Sequence, residues 1–124
     1  MSRFETIAEE VTIRIYREDS TLIERYGKRG KEQTFTDNLH HLDYLKAASD
    51  LNSTAIFTDY AIWLNGILTK IGMTSQTLID NFIYLDEALQ NSPFVDHAEA
   101  AVYSRYLADA IQALQSMKGE NKYV

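Results

Sequence analysis

The stretch that most constrains this chain is FTDYAIWLNGILTKI, residues 57–71. Phe57, Tyr60, Leu64, Ile67, Leu68 and Ile71 recur at three- and four-residue steps, and Ile56 and Trp63 widen the helical face they form. The polar remainder, Thr58, Asp59, Asn65, Thr69 and Lys70, is too sparse for a solvated outer helix. The pattern predicts a central, largely buried helix covered from two sides, and with it an all-α bundle.

The flanking sequence supplies the covering helices. Ser2 and Glu5 carry the capping-box spacing, followed by an apolar stripe of Phe4, Ile7, Ala8, Val11 and Ile15. The turn EDS at 18–20 breaks it, and Asp19 or Ser20 opens a short second helix through Leu22, Ile23 and Tyr26 that Gly27 ends. A loop is expected to about Gln33. Thr34 or Thr36 then caps a third helix with Leu39, Leu42, Leu45 and Ala48 on one stripe and His41 and Tyr44 at its border, stopped by DLNS at 50–53. The central helix starts at Ser53 or Thr54 and ends at Gly72. A fifth opens at Thr74 or Ser75 and runs through Leu78, Phe82, Leu85 and Leu89 to the Asn91–Pro93 break. The last, from about Val95, presents Ala98, Val102, Tyr103, Tyr106, Leu107, Ala110, Ala113 and Leu114 before Gly119 and a frayed tail. Six helices are expected in one domain, residues 1–124, with no strand-like alternation and no repeat.

Charge narrows the partners. Residues 1–33 carry seven basic and seven acidic groups, residues 34–117 three against ten, and the net charge is -6. Nucleic-acid binding needs a row of Lys or Arg to release counterions, so this acidic body argues against it. The one basic cluster, Arg25, Lys28, Arg29 and Lys31 in RYGKRGK, reads first as a solvated loop and second as an anion site built on its glycines. No cysteine is present, which removes disulfides, thiolate metal sites and cysteine nucleophiles. No leader is visible, and no stretch approaches the roughly 20 apolar residues of a membrane span, so a soluble, cytoplasmic protein is expected.

Catalytic motifs are missing. There is no Glu-x-x-His pair for a di-iron bundle, no zinc spacing, no phosphate-binding glycine loop and no nucleophile elbow, so an enzyme is the least favoured class. His40 and His41 diverge by about 100° on a helix and cannot both face one metal ion. His41 borders the apolar stripe with Asp37 one turn earlier, where a carboxylate can hold the ring or raise its proton affinity. It is either a half-buried histidine satisfied by a neighbour or a polar contact in a ligand chamber. Eight tyrosines need partners for their hydroxyls if buried, which suits either core packing or a polar pocket between helices.

Three segments carry a family resemblance: RYG-x-x-G (Arg25, Tyr26, Gly27, Gly30), D-x-x-x-H-L-x-Y-L (Asp37, His41, Leu42, Tyr44, Leu45) and F-x-x-Y-x-x-W-L (Phe57, Tyr60, Trp63, Leu64). Through them the chain resembles the non-haem globin-like sensor domains of sporulation sensor histidine kinases of bacilli, and the free-standing proteins of that family that inhibit sporulation. The resemblance implies a globin-like fold, a fatty acid in an apolar tunnel, an anion such as chloride in a polar chamber, and a homodimer. The central helix has no histidine between Ser53 and Gly72, so haem ligated in the usual way is not expected.

On this reading the tunnel is lined by Leu42, Leu45, Phe57, Tyr60, Ala61, Leu64 and Leu68, and the anion lies near Arg25, Tyr26, His41 and Tyr44. The last two helices are the expected dimer contact. Without a kinase segment, the chain would modulate sporulation signalling by competing with a sensor histidine kinase for ligand or docking surface. The alternatives are a small homodimeric interaction module with a solid core and no ligand, and a helical domain of a cofactor-binding signalling protein.

Overall fold

The structure, a computed structural model, describes residues 1–121, with side chains as far as Met117. Five helices follow one another: α1 (Arg3–Glu18), α2 (Thr21–Asp50), α3 (Thr54–Lys70), α4 (Ser75–Asn91) and α5 (His97–Asn121), with no strand among the described residues. The class is all-α, as the periodicity requires. The stretch placed after a stop at Gly119 belongs in part to α5, and residues 122–124 lie outside the described residues.

Local chemistry sets the boundaries. Ser2 Oγ accepts from the Glu5 amide at 3.1 Å while the Glu5 carboxylate accepts from the Ser2 amide at 3.0 Å, completing the capping box of α1. Asp19 Oδ1 accepts from the Thr21 amide at the start of α2. Gly72, at φ 93, follows the end of α3. Asp96 Oδ1 accepts from the Glu99 amide at 2.8 Å and so caps α5 two residues later than the apolar stripe suggested.

The expected second and third helices run together as one element kinked at Gly27, where the second was expected to end. Gly27 does break the helical path, at φ 64 and ψ -164, a conformation that costs glycine little. The chain re-enters helix at once, however, so 28–33 is helical rather than a loop, and Thr34 and Thr36 bond carbonyls one turn back instead of capping. Lys, Arg, Glu and Gln fill that segment and are good helix formers, which outweighs the two glycines. Gly30 is required for close approach: a Cβ there would overlap Tyr26 Cβ and meet the Tyr16 hydroxyl at 3.1 Å.

The core draws on every helix. Ile7, Ala8 and Val11 of α1 meet Leu42, Leu45 and Ala48 of α2, Phe57 and Ala61 of α3, Leu78, Phe82, Leu85 and Leu89 of α4, and Tyr103, Leu107, Ala110 and Leu114 of α5. On the two helices expected at a dimer contact, Leu78, Phe82, Leu85 and Leu89 of α4 and Tyr103, Leu107, Ala110 and Leu114 of α5 are therefore consumed inside the protomer, while Ala98 is exposed. α1 packs on α2 and α4, α4 on α5, and α3 mainly on α5 and α2. Arg3 pairs with Glu99, whose carboxylate also accepts from the Tyr103 hydroxyl at 2.8 Å, and Arg14 pairs with Glu87, fastening α1 to α5 and α4.

Candidate functional site

Covering α3 from only one side has a direct consequence for its surface. Phe57, Tyr60 and Ala61 face the core, but Trp63 is 61% exposed, Ile67 41%, Ile71 69% and Ile62 38%. The expectation of a largely buried helix is thus corrected: α5 and α2 cover one face, and the surplus apolar residues form a strip on the other. Tyr44 of α2, 42% exposed, extends the strip by stacking on Tyr60 with ring centroids 4.0 Å apart and planes at 14°. Asp59 and Lys70 stand exposed at the two ends of the strip, with no ion partner among the described residues. Gly66 lies between them over open space.

Beneath Tyr44 the aromatic group continues inward. The Tyr60 hydroxyl lies 2.6 Å from His41 Nδ1, and the His41 ring meets Phe82 edge-on at 5.1 Å. Burial pushes the His41 pKa down to about 3, with the neighbouring charge of His40 a lesser cause, and burial likewise raises that of Tyr60. The contact joins two neutral groups; a hydroxyl donating to Nδ1 leaves the ring proton on Nε2. Asp37, the expected partner of His41, instead accepts from Gln33 at 2.8 Å, and burial raises its own pKa.

The four residues assigned to an anion chamber are not equivalent. Arg25 reaches Asp19 at 3.2 Å, lies over the Tyr26 ring and is exposed, as is Tyr26 itself at 46%. His41 is enclosed and neutral, and Tyr44 is its partly exposed lid through Tyr60. A neutral imidazole offers an anion a single hydrogen bond and no charge.

The residues assigned to a tunnel do come together. Leu42, Leu45, Phe57 and Ala61 are fully buried, Tyr60 is 7% exposed, and Leu64 and Leu68 pack against them from the half-buried edge. Two open clefts lie elsewhere, one between α1 and α4 beside Val11, Arg14 and Tyr84, the other between α1 and α2 beside Thr12, Lys28 and Phe35. The burial of three amides escaped the sequence reading. Asn38 and Asn81 exchange reciprocal hydrogen bonds at 3.0 and 2.8 Å across α2 and α4. Asn65 is 3% exposed, and its Oδ1 finds no donor among the described residues. Nothing in the local sequence distinguishes these asparagines from surface ones, because their partners come from other helices.

Among the described residues no group of three or more His, Asp or Glu side chains is placed to hold a metal ion, and no helix is long and apolar enough to cross a membrane. Comparison of the chain with protein-family models, with curated proteins and with solved structures gave no match.

Proposed function

We propose that this chain is a non-catalytic protein-interaction domain that presents the outer face of α3 to a protein partner. The observation that carries this reading is the strip Trp63, Ile67 and Ile71, joined to Tyr44, on a helix whose other face is already packed. Isolated exposed apolar residues are ordinary, but a contiguous set around a tryptophan on a well-ordered helix marks an interaction surface. The buried residues behind it come from all five helices and give it a rigid support. A photo-crosslinking residue at Ile67, introduced in the producing cell, tests this directly, with the same residue at exposed Glu24 as control. Adducts of defined mass are expected at position 67 and not at 24; equal yields at both positions would refute the reading.

A second reading, the ligand-binding sensor implied by the resemblance, is favoured by Asn65. Its unpartnered Oδ1 lies one helical turn from Ala61 and from Leu68, so a ligand's polar donor end placed there would satisfy a buried acceptor while its apolar part lies along those residues. A fatty acid would then be the ligand of a domain that competes with a sensor histidine kinase. Organic extraction and mass spectrometry decide this: a stoichiometric lipid supports the sensor. Ala61→Phe adds the complementary arm. In a solid core the change costs roughly 1–3 kcal/mol of stability, whereas in a lipid-bearing protein it abolishes lipid uptake and spares the fold.

A further inference from the structure

We infer that the protein partner of the α3 face docks through a basic segment, an arginine or lysine of which packs on the exposed Tyr44 and Trp63 rings beside Asp43 and Asp59 while neighbouring apolar side chains lie along Ile67 and Ile71. This rests on the interaction-face reading above and adds the chemistry and direction of the segment that docks there.

The aromatic residues form one group. Tyr44 stacks on Tyr60 with centroids 4.0 Å apart, and Trp63 lies 6.4 Å from Tyr60 with planes at 35°, so both exposed rings neighbour the same buried ring. Their centroids are therefore no more than about 10 Å apart, and a cation, which is attracted to a ring from within about 6 Å of its centroid, can lie against both. Charge decides what kind of group comes there. Asp43 adjoins Tyr44 on α2, and Asp59 stands four residues before Trp63 on α3, a spacing that makes side chains surface neighbours with Cβ atoms roughly 5–6 Å apart. Both carboxylates are exposed, and neither has an ion partner among the described residues. Burial first, and then the charges of Asp37, Tyr44 and Asp43, raise the Tyr60 pKa, so the aromatic group sits in a negative field. Lys46, further along α2, is held by Asp50 at 3.1 Å.

A cation brought by a partner meets the negative faces of the rings and two carboxylates that nothing in the protomer neutralises, whereas an acidic segment, an anionic membrane surface or a nucleic acid meets repulsion. Lys70 gives the surface a direction. It flanks Ile71 eleven residues beyond Asp59, about 16 Å along the helix axis, so the strip runs from an acidic, aromatic end to a basic, aliphatic one. Trp63, Ile67 and Ile71 repeat every four residues over about 12 Å, which a helical segment of about eight or nine residues spans. The partner's basic residue therefore lies at the Trp63 end, and the apolar residues that meet Ile67 and Ile71 follow it one and two turns on. Arginine set against tryptophan and tyrosine is the pairing that most often dominates binding at such contacts.

Random dodecapeptides displayed on phage, depleted on the Trp63→Ala variant and then selected on the wild-type chain, test this. The selected peptides are expected to be net basic, with an arginine or lysine beside apolar residues. Binding of a synthetic copy of the most enriched peptide is followed by the fluorescence of Trp63, the sole tryptophan. Tyr44→Ala should raise its Kd at least about tenfold, Asp43→Asn with Asp59→Asn about three- to tenfold, and Lys70→Gln no more than about twofold. Added salt should weaken binding to the wild type and affect the Asp43→Asn, Asp59→Asn variant much less. All the substituted side chains are exposed, so helicity by circular dichroism stays at the wild-type value. Neutral or acidic peptides overturn the inference, as do a double variant that binds like the wild type and a selection that yields no peptide dependent on Trp63. The crosslink at position 67 separates the two levels. An adduct whose attached segment is basic supports the inference; one whose segment carries no basic residue, or one of twice the chain mass, overturns it while keeping an interaction at this face; and no adduct overturns both.

Discussion

Replacing His41 by Gln isolates what it costs to bury an imidazole in this bundle. His41 is 1% exposed, and its pKa is pushed from 6.5 down to about 3. The unfolded chain takes up a proton near pH 6.5, whereas the folded chain resists until about pH 3. Between those values the unfolded state binds more protons, so stability is full above the window and falls as the pH drops through it. At 1.36 kcal/mol per unit, going from pH 6.5 to pH 4.5 removes about 2.7 kcal/mol, and the whole window is worth about 5 kcal/mol. Gln retains an amide that can bond the Tyr60 hydroxyl but does not titrate. Urea unfolding of both proteins at about pH 7.5 and about pH 4.5 should show the wild type losing about 2–3 kcal/mol more than His41→Gln between the two conditions, whatever their difference at the higher pH. Glu5, Asp19 and Glu99 are held below the usual carboxylate range by their hydrogen bonds, and Asp37 is raised by burial; both proteins share these groups, so they cancel in the comparison. Parallel decline of the two proteins would refute the reasoning, since it would mean that His41 titrates alike in the folded and unfolded chains.

Two further substitutions probe the packing. Asn38→Leu orphans the Asn81 amide and should cost about 2–3 kcal/mol in urea unfolding, whereas the pair Asn38→Leu with Asn81→Leu should cost less than the sum of the single changes, because no amide is then left unpaired. Gly30→Ala drives a methyl group into Tyr26 Cβ and should lower stability by about 1–3 kcal/mol, read as a lower melting temperature with unchanged helicity.

The limits of α1, α3 and α4 were legible because each carries its own punctuation: the Ser2–Glu5 box, the Ser53–Thr54 start with Gly72 beyond the end, and Thr74 before Ser75. Residues 28–33 were not, since a glycine with positive φ usually ends a helix and here only bends its path. The candidate site was legible in composition and illegible in direction. Periodicity located the wide apolar face of α3, but which half of a wide face meets the core depends on how many helices arrive to cover it, and that number is a tertiary property. The Tyr44–Tyr60 stack and the His41–Tyr60 bond have the same origin: all three residues were singled out, but the partner of His41 came from the next helix rather than from Asp37 on its own.

The fastening of α1 also fixes when the protein can finish folding. Arg3 finds Glu99 only across a separation of 96 residues, and Ile7 and Val11 are covered in part by α4. During synthesis at about 5–20 residues per second, roughly 5–20 s pass between the emergence of Arg3 and that of Glu99. Until then α2 alone is at hand to cover α1, and the part of its apolar stripe that α4 covers stays open, so closure of the bundle waits for the last two helices. The stripe Ile7, Ala8 and Val11 is therefore the segment on which a chaperone would act.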